Sequence, residues 1–167
     1  MAITAETVNE LTACIGAEER TRLGCVTELM ISRYVEAIGQ LDDPLYGDPQ
    51  VARDRGYEGI PAPLNLLPSI LTWAYGAEAA KQSDNGVGVV PLTHVSTDGL
   101  LVMGGGEDMV FTAPVLAGTW IHEHASLVDV TSRTGRSGLT AVVRYRNQFD
   151  DETGSPLMTC TRTLLVR

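Results

Sequence analysis

The sequence predicts a single α+β domain, an antiparallel sheet of about five strands wrapped around one long buried helix. Three observations carry this expectation. At 167 residues with 44% apolar side chains, the chain has one domain's length and enough apolar mass for one core. Apolar side chains lie nearly all round the segment 64–80, which marks an interior helix. From Val89 onward the apolar spacing changes from helical to alternating, as half-buried strands require.

Taken in order, residues 5–15 place Val8, Leu11 and Ile15 at helical spacing behind Thr4, a natural N-cap. Thr27 caps a second helix from Glu28 to Ile38, with Met30, Tyr34 and Ile38 on one side and Gly39 as the stop. A short helix at 49–55 has Asp48 as cap, Pro49 at its first position and Gly56 just past its end. Gly59-Ile-Pro-Ala-Pro-Leu64 is a stiff turn whose prolines donate no hydrogen bond. It feeds the apolar run containing Leu66, Leu67, Ile70, Leu71, Trp73 and Ala74, with Pro68 where a first turn tolerates it. Residues 81–88 read as a polar loop. A strand pair follows around Leu100–Met103 and Asp108–Thr112, with Gly104-Gly-Gly106 as a tight turn.

Trp120–Val130 alternates His122, His124, Ser126 and Val130 against Ile121, Glu123 and Leu127. Leu139–Phe149 places Leu139, Ala141, Val143, Tyr145 and Phe149 on one face, and Met158–Arg167 is a third run rich in Thr, Leu and Val. Residues 133–138 and 150–155 are hairpin connections. No repeat or linker divides the chain, so residues 1–167 read as one domain.

Composition narrows the function. Twelve Lys and Arg against 21 Asp and Glu give a net charge of −9, the wrong sign for a general nucleic-acid binder. The N-terminus lacks a basic and then apolar leader, and no run reaches the ~18 apolar residues of a membrane span. Cys14, Cys25 and Cys160 have no CxxC spacing, so reduced thiols and a cytoplasmic location are expected.

A long buried helix followed by an antiparallel sheet is the order of a hot-dog fold; cystatin-like and other one-helix sheets share it. The motifs are more specific. Ala37-Ile-Gly-Gln-Leu-Asp-Asp-Pro-Leu-Tyr-Gly-Asp48, then Ala52, then Gly56-Tyr-Glu-Gly-Ile-Pro-Ala-Pro63 resembles the N-terminal motif region of MaoC-like dehydratases. The nearest branch is the one similar to the dehydratase domain of fungal-type fatty acid synthase. Residues 104–118 and 128–138 resemble that branch's later strand and hairpin, so the likeness spans about 25–167.

The resemblance implies a hot-dog fold and (R)-specific hydration of enoyl thioesters, or the reverse dehydration, without a cofactor. It implies a homodimer or a heterodimer with another hot-dog subunit, and an acyl-CoA or acyl-carrier-protein thioester as substrate. The family's Gly-Asp-x-Asn-Pro-x-His motif is altered here. Gln40 follows Gly39, proline arrives one residue late at Pro44, and Tyr46 stands at the His position. Asp42 or Asp43 could fill the Asp role, with Tyr46 beside it; alternatively the segment is a structural turn. In the family, halves lacking the His pair with a catalytic half and shape the acyl tunnel.

Developing charge on a thioester oxygen needs fixed donors. Gly59, Ile60, Ala62 and Leu64 form a candidate contact loop, with the N–H groups of Ile60, Ala62 and Leu64 available; alternatively the loop is a purely structural turn. His94 is a further candidate base. Residues 133–167 carry six Arg against three acids, and Arg144 and Arg146 share a strand face that suits the phosphates of CoA or an acidic carrier protein. His122 and His124 share a face but lack a third ligand, so no metal is expected. A hot-dog thioesterase would need an acid on the central helix, and Glu78 lies too far along it. The readings are thus an acyl-thioester hydratase or dehydratase, a non-catalytic binding half, and last a thioesterase.

Overall fold

The computed structural model of the chain describes residues 2–70, 90–136 and 138–167. Helix α1 (Ala5–Ala13) starts where Thr4 accepts the Thr7 N–H, and buries Leu11 completely. Ile15 falls beyond its end and is exposed. Helix α2 (Glu28–Ala37) starts in the same way at Thr27. Its core pair is Ile31 with Val35, one turn apart, while Met30 and Tyr34 pack only in part and Ile38 stands exposed. The expected stripe was therefore one residue out of phase. Helix α3 (Pro49–Asp54) has Asp48 as cap and Pro49 at its start.

Helix α4 (Leu66–Ile70) buries Leu66 and Leu67. The remainder of the expected helix, the polar loop at 81–88 and Glu78 lie outside the described residues. No helix among the described residues is long and apolar enough to cross a membrane.

Five strands form one antiparallel sheet: β1 (Glu18–Cys25), β2 (Val102–Phe111), β3 (Trp120–Gly135), β4 (Gly138–Asp150) and β5 (Pro156–Val166). Their order is β1-β3-β4-β5-β2. Strand β1 was not expected, because Glu18-Glu-Arg-Thr-Arg22 has no apolar alternation. It is an edge strand, paired from Glu18↔Ser126 to Cys25↔Trp120, and an edge tolerates charged side chains that reach water.

The expected hairpin at 100–112 is one continuous strand along β5. Gly104–Gly106 makes a bulge within it and not a turn. At Gly105 a Cβ would lie 3.0 Å from Thr163 Cγ2 and 3.3 Å from the Thr163 carbonyl, so glycine permits the close approach of β5. In β3 a register shift between Leu127 and Asp129 moves Val130 onto the face of Ile121 and Leu127, correcting the simple alternation.

The inner face of the sheet carries two apolar clusters. Ile121, Phe149 and Met158 pack with Ile31, Val35, Ile60, Leu66 and Leu67. Leu127, Val143, Tyr145 and Val166 pack with Leu11, Val90, Val95 and Leu100. Polar groups cross the same face. Asn147 donates to Glu123 Oε1 at 2.6 Å, and burial, the largest influence, pushes the Glu123 carboxyl above its ordinary value. Arg162 donates through Nη2 to the Pro68 carbonyl at 2.8 Å, and its Nε lies 2.8 Å from Glu107 Oε1. This arginine, expected among outward-facing cations, instead ties α4 to the sheet.

Candidate functional site

The segment after α2 builds the clearest concavity near the motif residues. Gly39 takes φ 72°, a left-handed conformation suited to glycine, and the chain turns back as the Gln40 N–H reaches the Val35 carbonyl at 2.9 Å. Asp43 then caps a 3₁₀ turn, Pro44–Tyr46, by accepting the Leu45 N–H at 3.0 Å. Leu45 is buried and anchors the turn, which puts Tyr46 against the first apolar cluster. The Arg55 Nη1 atom, just past α3, lies 3.5 Å from Asp43 Oδ1.

The resulting cleft measures about 380 Å³. Glu28 and Ser32 line it from α2, Asp43 and Tyr46 from the turn, and Ile60 from the segment leading to α4. Burial, then the Asp43 and Tyr57 charges, raise the Tyr46 phenol above its ordinary value, and Arg55 opposes them. At neutral pH this hydroxyl is protonated and can donate a hydrogen bond. Asp42 is exposed and is not among the residues lining the cleft.

The stiff turn at 59–64 is fixed by pairing with residues 115–117. Pro61 bridges Leu116, the Ala62 N–H donates to the Val115 carbonyl at 2.7 Å, and the Ala117 N–H donates to the Ile60 carbonyl at 2.9 Å. The Ala62 N–H is therefore taken, contrary to the expectation that it was available. The N–H groups of Ile60 and Leu64 have no hydrogen-bond partner among the described residues. Ile60 is buried at the cleft and Gly59 is half-buried beside it. Leu64 is exposed and borders a small apolar groove with Phe111 and Leu67.

Other candidates fall elsewhere. His94 is exposed on the segment whose Val90, Val95 and Leu100 pack in the second cluster, away from the Tyr46 cluster. Arg144 and Arg146 are exposed on the outer sheet face, because Val143, Tyr145 and Asn147 between and beside them point inward and are buried. They oppose Asp129 and Ser126 on β3. His122 and His124 also face outward, opposite Arg22 and Arg20. Among the described residues no three His, Cys, Asp or Glu side chains converge as metal ligands would.

Sequence reasoning missed Glu28 and Ser32. Their signal was present: four residues apart, they share the side of α2 offset from Ile31, directly behind the Thr27 cap.

The family model described as the FAS1-like dehydratase domain region matches residues 13–160. A UPF0336 protein of Streptomyces avermitilis is 27% identical over 137 residues, covering 82% of this chain and 81% of its own. A chain of the ChsH1–ChsH2 complex from Mycobacterium tuberculosis superposes with a TM-score of 0.68 at 21% identity, over 96% of this chain and 93% of that one. The MaoC-like dehydratase from Rhodospirillum rubrum gives 0.63 at 16% identity, over 91% of each chain. These structural likenesses establish a hot-dog fold.

Proposed function

The chain belongs to the FAS1-like dehydratase region family, and from that membership we propose that it is a one-domain cytoplasmic subunit of an (R)-specific enoyl-thioester hydratase or 3-hydroxyacyl-thioester dehydratase. The substrate is an acyl chain linked to CoA or to a carrier protein. The observation that carries this reading is the cleft in which Asp43 and Tyr46, from the segment resembling the hydratase motif, meet Ile60 from the turn before α4.

Hydration adds water across a double bond conjugated to the thioester, so negative charge develops on the carbonyl oxygen. The protonated Tyr46 hydroxyl and the Ile60 N–H, which has no partner among the described residues, are donors suited to that charge. Val35 and Ile60 give the cleft an apolar side for the carbon chain. The outward Arg144 and Arg146 lie on the opposite sheet face from the inward core, so a role for them is contact with an acidic carrier protein and not with the reacting thioester.

The subunit acts as a pair with a second hot-dog chain, identical or different. Among the described residues strand β2 is an edge whose end exposes Val110 and Phe111, with Leu64 beside Phe111, and a partner strand would cover them. The similar Mycobacterium chain was solved as a two-subunit complex.

A second reading, a non-catalytic half that binds acyl chain for a catalytic partner, is favoured by one feature. Tyr46 stands where the resemblance expects His, and its raised phenol is no base at neutral pH. Ultraviolet loss of the conjugated bond of short and medium trans-2-enoyl-CoA, with the purified protein, separates the two. Turnover supports the enzyme; acyl-CoA binding by a folded dimer without turnover supports the binding half.

A further inference from the structure

We propose that Glu28 is the residue that moves the proton in this cleft, with Ser32 holding the reacting water beside it. The assignment rests on the hydratase/dehydratase reading and gives that site a base.

Three ionisable side chains line the cleft: Glu28, Asp43 and Tyr46. Asp43 Oδ1 already accepts the Leu45 N–H at 3.0 Å and faces Arg55 Nη1 at 3.5 Å. That carboxylate holds the 3₁₀ turn and the end of α3 together, and protonating it in each turnover would loosen both. Tyr46 keeps its proton at neutral pH and serves as a donor. Glu28 alone of the three is a carboxylate with no ion pair or hydrogen bond among the described residues. It stands in the first turn of α2, a rigid element fixed by the Thr27 cap and by Ile31 and Val35 in the core. Ser32 follows one helical turn later on the same side, so its hydroxyl and the Glu28 carboxylate border one space.

The chemistry balances without another reactant. In hydration, Glu28 takes a proton from water as the water oxygen bonds the β-carbon. The π pair moves to the α-carbon through the thioester enolate, whose oxygen faces Tyr46 and the Ile60 N–H. Glu28 then returns its proton to the α-carbon, and dehydration is the reverse.

The test uses the full chain and trans-2-enoyl-CoA, comparing wild type with Glu28→Gln, Glu28→Asp and Ser32→Ala across pH. Glu28→Gln is expected to lower kcat about 100-fold or more with KM nearly unchanged. Glu28→Asp, which keeps the carboxylate, keeps part of the rate, and Ser32→Ala falls between. The other ionisable groups at the cleft, Asp43 and Tyr46, with Arg55 and Tyr57 beside them, are unaltered in every variant. Glu28 is exposed and makes no hydrogen bond or ion pair among the described residues, so the rate loss comes with no more than the small helix-dipole loss in stability. Wild-type turnover retained in Glu28→Gln overturns this assignment alone. A folded wild type that turns over no enoyl-CoA overturns the catalytic reading and the assignment together.

Discussion

Arg162 offers the sharpest test of how the helix side is held to the sheet. Its Nη2 gives a charge-assisted hydrogen bond to the Pro68 carbonyl at 2.8 Å, and its Nε lies 2.8 Å from Glu107 Oε1. The side chain is 26% exposed and that of Glu107 is 40% exposed. In Arg162→Met the methylene stem is kept while both polar contacts go. The hydrogen bond to a half-buried carbonyl is worth about 1.5–3 kcal/mol. The ion pair, discounted for water at Glu107, adds about 0–1 kcal/mol. A loss of about 1.5–4 kcal/mol results, or roughly 3–16 °C in Tm for a chain of this size. Urea unfolding followed by circular dichroism, with a thermal melt alongside, measures it.

Arg162→Lys restores one donor and should recover about half. A second signature separates this account from a packing defect. Arg162 holds the Glu123 carboxyl down against the burial that raises it. Without Arg162 that carboxyl rises further, so the deficit of Arg162→Met should widen as pH increases through the carboxylate range. A loss below ~0.5 kcal/mol with no pH dependence would refute the reasoning.

Glu123 itself has a folded value raised above the ordinary one, so the folded state binds its proton more tightly than the unfolded chain. Its contribution to stability is full below the ordinary carboxylate range and is lost as pH rises through the raised value. Glu123→Gln, which can still accept from Asn147, should therefore match wild type in acid and exceed it toward neutral pH in denaturant titrations. Gly105→Ala places a Cβ 3.0 Å from Thr163 Cγ2 and should destabilise by about 1–2 kcal/mol through overpacking. Gly104→Ala, with open space at its Cβ, should do less under the same urea titration. Val110→Lys should shift the protein toward monomer in sedimentation while leaving the monomer's unfolding intact, since that side chain is 65% exposed.

The fold was legible where local chemistry and burial point the same way. Thr4, Thr27 and Asp48 announce the helices they cap, and the alternation of Ala141, Val143, Tyr145 and Phe149 announces β4. It was illegible where the environment overrides pattern. The charged sequence of β1 forms a strand because β3 offers it a ladder and water receives its side chains. Gly104–Gly106 reads as a turn in isolation, yet β5 runs alongside and converts the three glycines into a bulge. In the site, the motif located Asp43, Tyr46 and Ile60 but not their engagements. That Ala62 gives its N–H to Val115, or that Asp43 holds Leu45 and Arg55, depends on pairings distant in sequence. Glu28 was passed over because an acid in a helix's first turn has an ordinary explanation in the helix dipole.

The two borders of the sheet differ in a way that limits growth. Along β1 the rim carries Glu18, Glu19, Arg20 and Arg22, and the register shift between Arg22 and Gly24 interrupts its ladder. Along β2 the rim ends in bare Val110 and Phe111. A sheet with two adhesive rims could add copy after copy and lengthen into a fibre. Glu107 and Asp108 stand in the middle of β2 and the Gly104–Gly106 bulge breaks its register, so its apolar rim is confined to the Val110–Phe111 end. An apolar rim confined to one end of one border favours a single contact over open-ended addition of strands.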